Sequence, residues 1–443
     1  MIKKLLLLIL SLLMLTKVFA QDTQYWAKQH GTYGELLGGV VVGGISDLSA
    51  TYYNPGSLPF IRDTVLILTT HSLQAYSISL NDAFGSDEKL STTSVYATPG
   101  IFAVRLPFKK LGNNQIIISY ITRYNFDYDA FGMKPTPYST NQNYYTSNQI
   151  MFMQKLSEYW PGISWSNAIS KNIGIGATLY FPYRSQSVIN QALLQDRDST
   201  GANNSTIFFE NYSYYNLRAL LKLGATFKLK SLMLGITVTT PSLNIFGRGE
   251  AALNITTTDD DLGLGENFIS NYQNKLPTKF NSAMSVALGT AYYMENTSFY
   301  FTVEWFNKVN DFMILNAESF KAQSFGKSIS YNANYSLNSV INVGLGIKHI
   351  VNSNFILYGS ITSDQTSYVP NSSNKFALSN WDIIHIRSGS MFKFRHVSIT
   401  FGLGYGFRGN FYDRIDFFNW GNEPESNVSY HQLDVIFGFT YKL

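Results

Sequence analysis

Six histidines, at positions 30, 71, 349, 385, 396 and 431, and the absence of cysteine set the first limits on chemistry. The histidines show none of the short spacings that hold a transition metal, and without thiols there is no disulfide framework and no cysteine nucleophile. Hydrolysis through a serine nucleophile needs a histidine and an orienting Asn or Asp beside it. Ser388 and His385 are close in sequence, but an extended chain turns them to opposite faces. Asp259, Asp260, Asp261 and Glu266 could offer oxygens to calcium, yet they lack the regular EF-hand spacing and read better as a solvated acidic run. Gly402, Gly404 and Gly406 alternate with apolar residues and lead into no helix, so they make no phosphate loop. These residues predict no enzyme, no cofactor and no metal site. What remains is a set of charges on the polar faces of alternating stretches: Arg105, Arg123, Arg218, Lys222, Lys348 and Arg387, with Glu304 and Asp434. Cations so placed can hold a carboxylate, or pin one segment to another through ion pairs.

The elements that must position them are strands. "VSITFGLGYGF" sets Val397, Ile399, Phe401, Leu403, Tyr405 and Phe407 on one face and small residues on the other. "SLMLGITVT", "TSFYFTVEW", "IGIGATLYF" and "INVGLGIK" repeat the scheme, with Gly and Thr prominent on the second face. A period of two excludes amphipathic helices, whose apolar positions recur at three and four. A soluble sandwich would carry Lys and Glu on its solvated faces. Here only 14% of residues are charged, while Tyr (30), Phe (32) and Gly (33) abound. The pattern is that of a barrel with lipid outside and a bore inside. Short turns fall near Lys109–Gly112, Ser170–Asn172, Leu229–Ser231, Met294–Thr297, Val351–Asn354 and Lys393–His396. Long polar connections lie at roughly 79–94, 127–158, 188–204, 242–278, 309–337, 366–380 and 412–428. Six of one kind and seven of the other give fourteen strands, an even number, as a single-chain bacterial barrel has. The stretch 145–157 is assigned to the second long loop, as a short helix before Trp160-Pro161-Gly162.

Both ends agree. Lys3 and Lys4, the apolar run Leu5–Leu15 and the compact Val18-Phe19-Ala20 form an export leader over 1–20. Loss of Lys3, Lys4 and Lys17 with it takes the formal net charge from +4 to +1, too little for an electrostatic nucleic-acid binder. The C-terminal "YHQLDVIFGFTYKL" alternates Leu433, Val435, Phe437, Phe439, Tyr441 and Leu443 with polar or small residues. It looks like the closing strand of outer-membrane barrels that the barrel-assembly machinery reads, except that Leu443 stands where an aromatic is usual.

Between leader and barrel lies "GGVVVGGISDLSATYYNPGSLPF". About forty residues cannot make a core alone, so the segment's apolar residues must bury elsewhere, and the bore has room. Asp47 is expected to cap a short helix over Leu48–Tyr53, with Tyr52 and Tyr53 toward the wall, before Asn54-Pro55-Gly56 forces a turn. This stretch resembles the N-terminal signature of the FadL/TodX-type outer-membrane transporters of hydrophobic compounds. Asp47, Ser49, Ala50, Tyr53, Asn54 and Pro55 match, while Gly56 replaces the usual Ala and predicts a looser turn. The resemblance extends to "LGATFKLKSLMLGITVTTPS" and "LPTKFNSAMSVALGTAYY". It implies an all-β, fourteen-stranded transmembrane barrel over 63–443, plugged by a hatch over 21–62, in the outer membrane of a Gram-negative bacterium. It implies a monomer among lipid and lipopolysaccharide, taking up a fatty acid or aromatic hydrocarbon through loop pockets and hatch rearrangement. Candidate capture residues in water-facing segments include Phe152, Met153, Phe246 and Phe268. Arg105, Arg123, Arg218 and Lys348 are candidates for a cargo carboxylate. The alternative is a polar-solute porin, or a barrel serving as adhesin or scaffold.

Overall fold

A computed structural model describes residues 23–442 apart from 62, 82–88, 108–112, 136–144, 198–202, 259–266, 325, 370–380, 409–410 and 415–424. The leader 1–20, the turn at 109–112 and the acidic run with Glu266 lie outside the described residues. Fourteen antiparallel staves close a cylinder. The first four are β1 (Thr64–Asn81), β2 (Lys89–Arg105), β3 (Asn114–Pro135) and β4 (Tyr145–Ala168). The fifth is β5 (Ile173–Tyr180), continued by β6 (Tyr183–Arg197), and the sixth is β7 (Asn203–Leu229). The seventh is β8 (Leu232–Thr239) continued by β9 (Leu243–Thr257), and the eighth is β10 (Asn267–Pro277) continued by β11 (Ser285–Tyr293). After the ninth, β12 (Thr297–Phe306), the chain leaves the ring as two small hairpins. These pair β13 (Val309–Leu315) with β16 (Ala333–Leu337), and β14 (Phe320–Lys321) with β15 (Ser328–Ile329). The ring resumes with β17 (Val340–Ile350), β18 (Phe355–Asp364), β19 (Ile383–Lys393) and β20 (Val397–Phe407). After the short β21 (Phe411–Arg414) comes β22 (Glu425–Lys442), which pairs with both β20 and β1 and so closes the sheet. Closure leaves no edge within the lipid, where an unpaired backbone group has no water to bond.

The five short turns among the described residues stand where the sequence places them. Ser170 N–H bonds the Ile173 carbonyl (3.2 Å), Met294 the Thr297 carbonyl (2.8 Å) and Phe394 the Val397 carbonyl (2.7 Å). At the other end most of the long connections turn out to be largely strand. β3 and β4 pair continuously from Asn114–Asn167 up to Pro135–Ser147. The segment 145–157 is therefore neither loop nor helix but the upper part of β4, and the strand count survives because it lengthens a stave without adding one. Trp160-Pro161-Gly162 sits inside that strand. Pro161 still accepts a bond from Phe181 N–H through its carbonyl (2.9 Å), so the ladder tolerates it.

Three staves break at one height, each beside a proline: Phe181-Pro182, Thr240-Pro241-Ser242, and the stretch after Pro277. Proline has no N–H for the ladder. Side chains bridge the breaks. Ser242 N–H bonds Ser282 Oγ (3.0 Å) and Phe280 N–H bonds Asn244 Oδ1 (2.8 Å). A different interruption lies between β2 and β3, which pair at only five positions, Ile101–Arg105 against Ile117–Ile121. Above them β2 carries Pro99, β3 has a bulge between Thr122 and Tyr124, and both strands follow their outer neighbours instead.

Residues 23–61 are almost wholly buried, and they touch inward faces around the ring. Gln24 forms an isolated bridge to Thr366 above β18. Ser360 Oγ on β18 donates to the Leu36 carbonyl (2.9 Å), Thr440 on β22 meets Thr32 (3.2 Å), Thr178 on β5 donates to Thr51 O (2.9 Å), and Thr237 on β8 to Tyr53 O (2.9 Å). The strand glycines are the other half of this contact. A side chain at Gly235 would overlap the Val42 carbonyl oxygen, one at Gly176 the Pro55 oxygen, and one at Gly289 would stand 2.5 Å from Gly43 N. On β5, β8 and β11 the small residues of the second face are thus where backbone meets backbone, while Gly344 of β17 and Gly402 of β20 make room for the Val40 and Leu36 side chains.

Candidate functional site

The stretch with Asn-Pro-Gly is held by its own polar groups. Asn54 Nδ2 donates to Val42 O (2.8 Å), to Ala225 O (3.1 Å) and to Thr226 Oγ1 (3.0 Å), while Asn54 Oδ1 receives Gly56 N–H (3.0 Å). One amide therefore ties two parts of the segment to β7. Pro55 then opens a 3-10 helix, Pro55–Phe60. Gly56 does not loosen this turn. A Cβ there would lie 2.6 Å from Ala225 Cα, so close approach to the wall demands glycine.

The helix before it is one turn, Ala50–Tyr53, shorter than the expected Leu48–Tyr53, and its N-cap is Ser49. Asp47 lies too far upstream to cap it. Its carboxylate takes Ser49 N–H (2.8 Å), Thr32 N–H (3.2 Å) and Thr32 Oγ1–H (2.6 Å), and so joins the segment to its own beginning. The two tyrosines part company. Tyr53 points back into the segment, accepting from His30 N–H (2.7 Å) and donating to Gln29 Oε1 (2.9 Å). Tyr52 faces a cavity.

That cavity, about 70 Å³, lies in the bore at the height of the stave breaks. Tyr25 and Tyr52 bound it from the N-terminal segment, Phe280 and Ala283 from the break after β10, and Tyr335 and Leu337 from β16. Its charged groups come from strands. On one side Glu158 of β4 accepts a hydrogen bond from Arg184 of β6 (2.9 Å) and one from Trp160 Nε1 (2.6 Å), and forms an ion pair with Arg218 of β7 (2.9 Å). Both guanidiniums cover the Phe280 ring, 4.1 and 4.7 Å from its centre. The triad is nearly solvent-free, which only mutual pairing makes tolerable. On the other side the arrangement differs. Arg123 occupies the β3 bulge among Tyr124 (4.7 Å), Trp160 (5.7 Å) and Tyr52 (5.8 Å), and bonds the Tyr25 carbonyl through Nη2 (2.6 Å). Lys222 Nζ lies 4.9 Å from the centre of Tyr52. Glu304 receives Trp26 Nε1–H (2.8 Å). Next to this cavity a smaller one, shared with Arg123 and Tyr124, reaches Lys28. Burial lowers the Lys28 ammonium to about 8, against the pull of Glu35 and Asp434, and its Nζ donates to Thr98 Oγ1 (2.6 Å).

Of the eight candidate ligand residues, Arg123 and Arg218 meet at the cavity. Arg105 and Lys348 are at the short-turn end, where Arg105 bonds the Ile61 carbonyl. Phe152 is buried 5.6 Å from Tyr128, and Met153 is on the opposite face of β4. Phe246 and Phe268 stand half-exposed on the outer faces of β9 and β10. The structure does not gather the four apolar candidates into one pocket. Glu158, Arg184, Tyr25 and Phe280 are cavity residues that the sequence reading missed. Strand parity extended through 145–157 would have turned Glu158 inward. The other three are set by register between distant staves, for which the sequence holds no local signal.

No known protein family and no curated relative matches the sequence. The fold does match solved structures. A FadL homologue from Pseudomonas aeruginosa aligns over 94% of this chain and 99% of its own, with TM-score 0.59 at 13% identity. The Pseudomonas putida toluene transporter TodX aligns over 96% and 100%, with TM-score 0.57 at 14% identity. The Ralstonia pickettii toluene transporter TbuX aligns over 94% and 99%, with TM-score 0.58 at 12% identity.

Proposed function

We propose that this chain is an outer-membrane channel through which hydrophobic small molecules diffuse, with residues 21–62 as a hatch. One observation carries the reading: residues 23–61 lie buried against inward faces around the ring, and a cavity beside them is lined by rings. A water-filled pore would suit polar solutes but gives apolar ones no advantage. An aromatic pocket gives them roughly 25 cal/mol for each Å² removed from water. The names of the like-folded proteins, toluene transporters among them, agree with such a cargo. The five-position ladder between β2 and β3 supports an exit sideways into the bilayer, because a cargo that leaves there never enters water. Arg123 sits in the β3 bulge next to that seam and lines the cavity.

The test is conductance. In planar bilayers the full chain is expected to stay closed, and a chain lacking 21–62 to conduct steadily. A full chain that already conducts ions like an open pore would support the porin reading instead. Uptake of toluene and decanoate by cells expressing the full chain, above vector controls, is the companion measurement.

A further inference from the structure

The cavity's charges do not balance. Four cations line it, Arg123, Arg184, Arg218 and Lys222, against two carboxylates, Glu158 and Glu304. Glu158 is spent on Arg184 and Arg218. Among the described residues neither Arg123 nor Lys222 has a carboxylate at salt-bridge distance. Arg123 is 4% exposed, and its Nη1 is buried with no hydrogen-bond partner. Lys222 is 6% exposed and faces the same Tyr52 ring. A channel for neutral hydrocarbons gains nothing from two buried, unpaired cations, which are costly to keep out of water. An anion between them supplies the missing partner.

The rest of the lining narrows the class. Seven aromatic rings border the cavity and only two leucines do, so a flat ring finds stacking and edge contacts wherever it lies. Size favours a small cargo over a long chain. The cavity holds about 70 Å³, against about 150 Å³ for a cavity that takes benzene. A single ring therefore asks for less displacement of Tyr25 or Tyr52 than an extended acyl chain does. Both tyrosines belong to the N-terminal segment, so occupation of the cavity presses on that segment directly.

We infer that the preferred cargo is a small aromatic carboxylate of the benzoate class, its carboxylate between Arg123 and Lys222 and its ring against Tyr52. This rests on the transport reading above and sharpens it.

The test is calorimetric titration of the full chain in detergent with benzoate, toluene and decanoate. Benzoate is expected to bind about tenfold more tightly than toluene, the order that a charge-assisted contact supplies. Lys222→Met keeps length and bulk and removes the charge. It is expected to weaken benzoate about tenfold and leave toluene within about twofold. Arg123→Gln is expected to weaken benzoate by at least as much, and a retained heat-modifiable gel mobility shows that either variant is folded. Equal affinity for benzoate and toluene overturns the inference, as does tighter binding of decanoate or an unchanged benzoate affinity in Lys222→Met. Uptake of toluene or decanoate without preference for benzoate sinks the inference and leaves the transport reading standing. Failure of all three compounds to cross sinks both.

Discussion

The lower and upper parts of the bore are closed in opposite ways. Below, the N-terminal segment meets the wall backbone to backbone, over glycines that leave no room for a Cβ. Above, it meets the wall through rings and guanidiniums around a space that is not filled. The first kind of contact is unforgiving, since any added atom must displace the chain. The second depends on charges whose partners are few and whose removal leaves others stranded. The lower contact therefore fixes where the segment lies, and the upper one fixes what it can respond to.

Substitutions should separate the two. The largest effect is expected in the upper part. Glu158→Gln leaves Arg184 and Arg218 buried without a counter-charge, and loss of about 3–5 kcal/mol should appear as an earlier thermal transition of the folded band on gels. Next, Gly235→Val in the lower part should push Val42 off the wall, cost up to about 3 kcal/mol, and raise bilayer conductance where Glu158→Gln does not. Conductance from both variants, or from neither, would erase the distinction. Asn54→Ala removes the bonds to the Val42 and Ala225 carbonyls and should cost about 1–2 kcal/mol, with intermittent rather than steady conductance.

A smaller effect follows from Lys28. Its pKa is lowered from 10.5 to about 8 by burial. Between those values the undocked side chain binds more protons than the docked one, so docking strengthens as pH rises through that window and is flat below it. Protease protection of the segment at pH 8 and at about pH 10 reads this out, and Lys28→Met should abolish the difference. The smallest effect is expected at the outer rim. There Gln323 Nε2 donates to the Ser270 carbonyl (2.6 Å), and Ser270 N–H donates to Gln323 Oε1 (2.9 Å), holding the hairpins to the free edge of β10. Water can replace an exposed amide, so Gln323→Ala should change stability by no more than about 0.5 kcal/mol.

The wall was legible in the sequence because a two-residue period survives any tertiary context. Lipid on one face and a bore on the other leave no alternative reading of Val397–Phe407, and the short turns follow from it. β4 was misread because Trp160-Pro161-Gly162 has the composition of a break. What the residues alone do not reveal is that Pro161 needs only its carbonyl in the ladder at that point. Arg123 and Lys222 were found by parity, which is local. The company they keep was not, because Phe280 reaches the cavity only through a gap in the eighth stave, and Tyr25 only through the course of the N-terminal segment. Phe152 and Met153 were paired as neighbours in a loop. A strand sends neighbours to opposite faces, and that one reassignment separates them.

The prolines at 182, 241 and 277 divide three staves into an upper and a lower collar, jointed at a common level. On that side β7 alone runs through the joint unbroken between them, as a 27-residue spine. Arg218 and Lys222 sit on this spine where it crosses the joint. Any tilt of the outer collar on that side must therefore be carried past the two side chains that face the cavity, and a ligand held there bears on the one unbroken strand between the jointed staves.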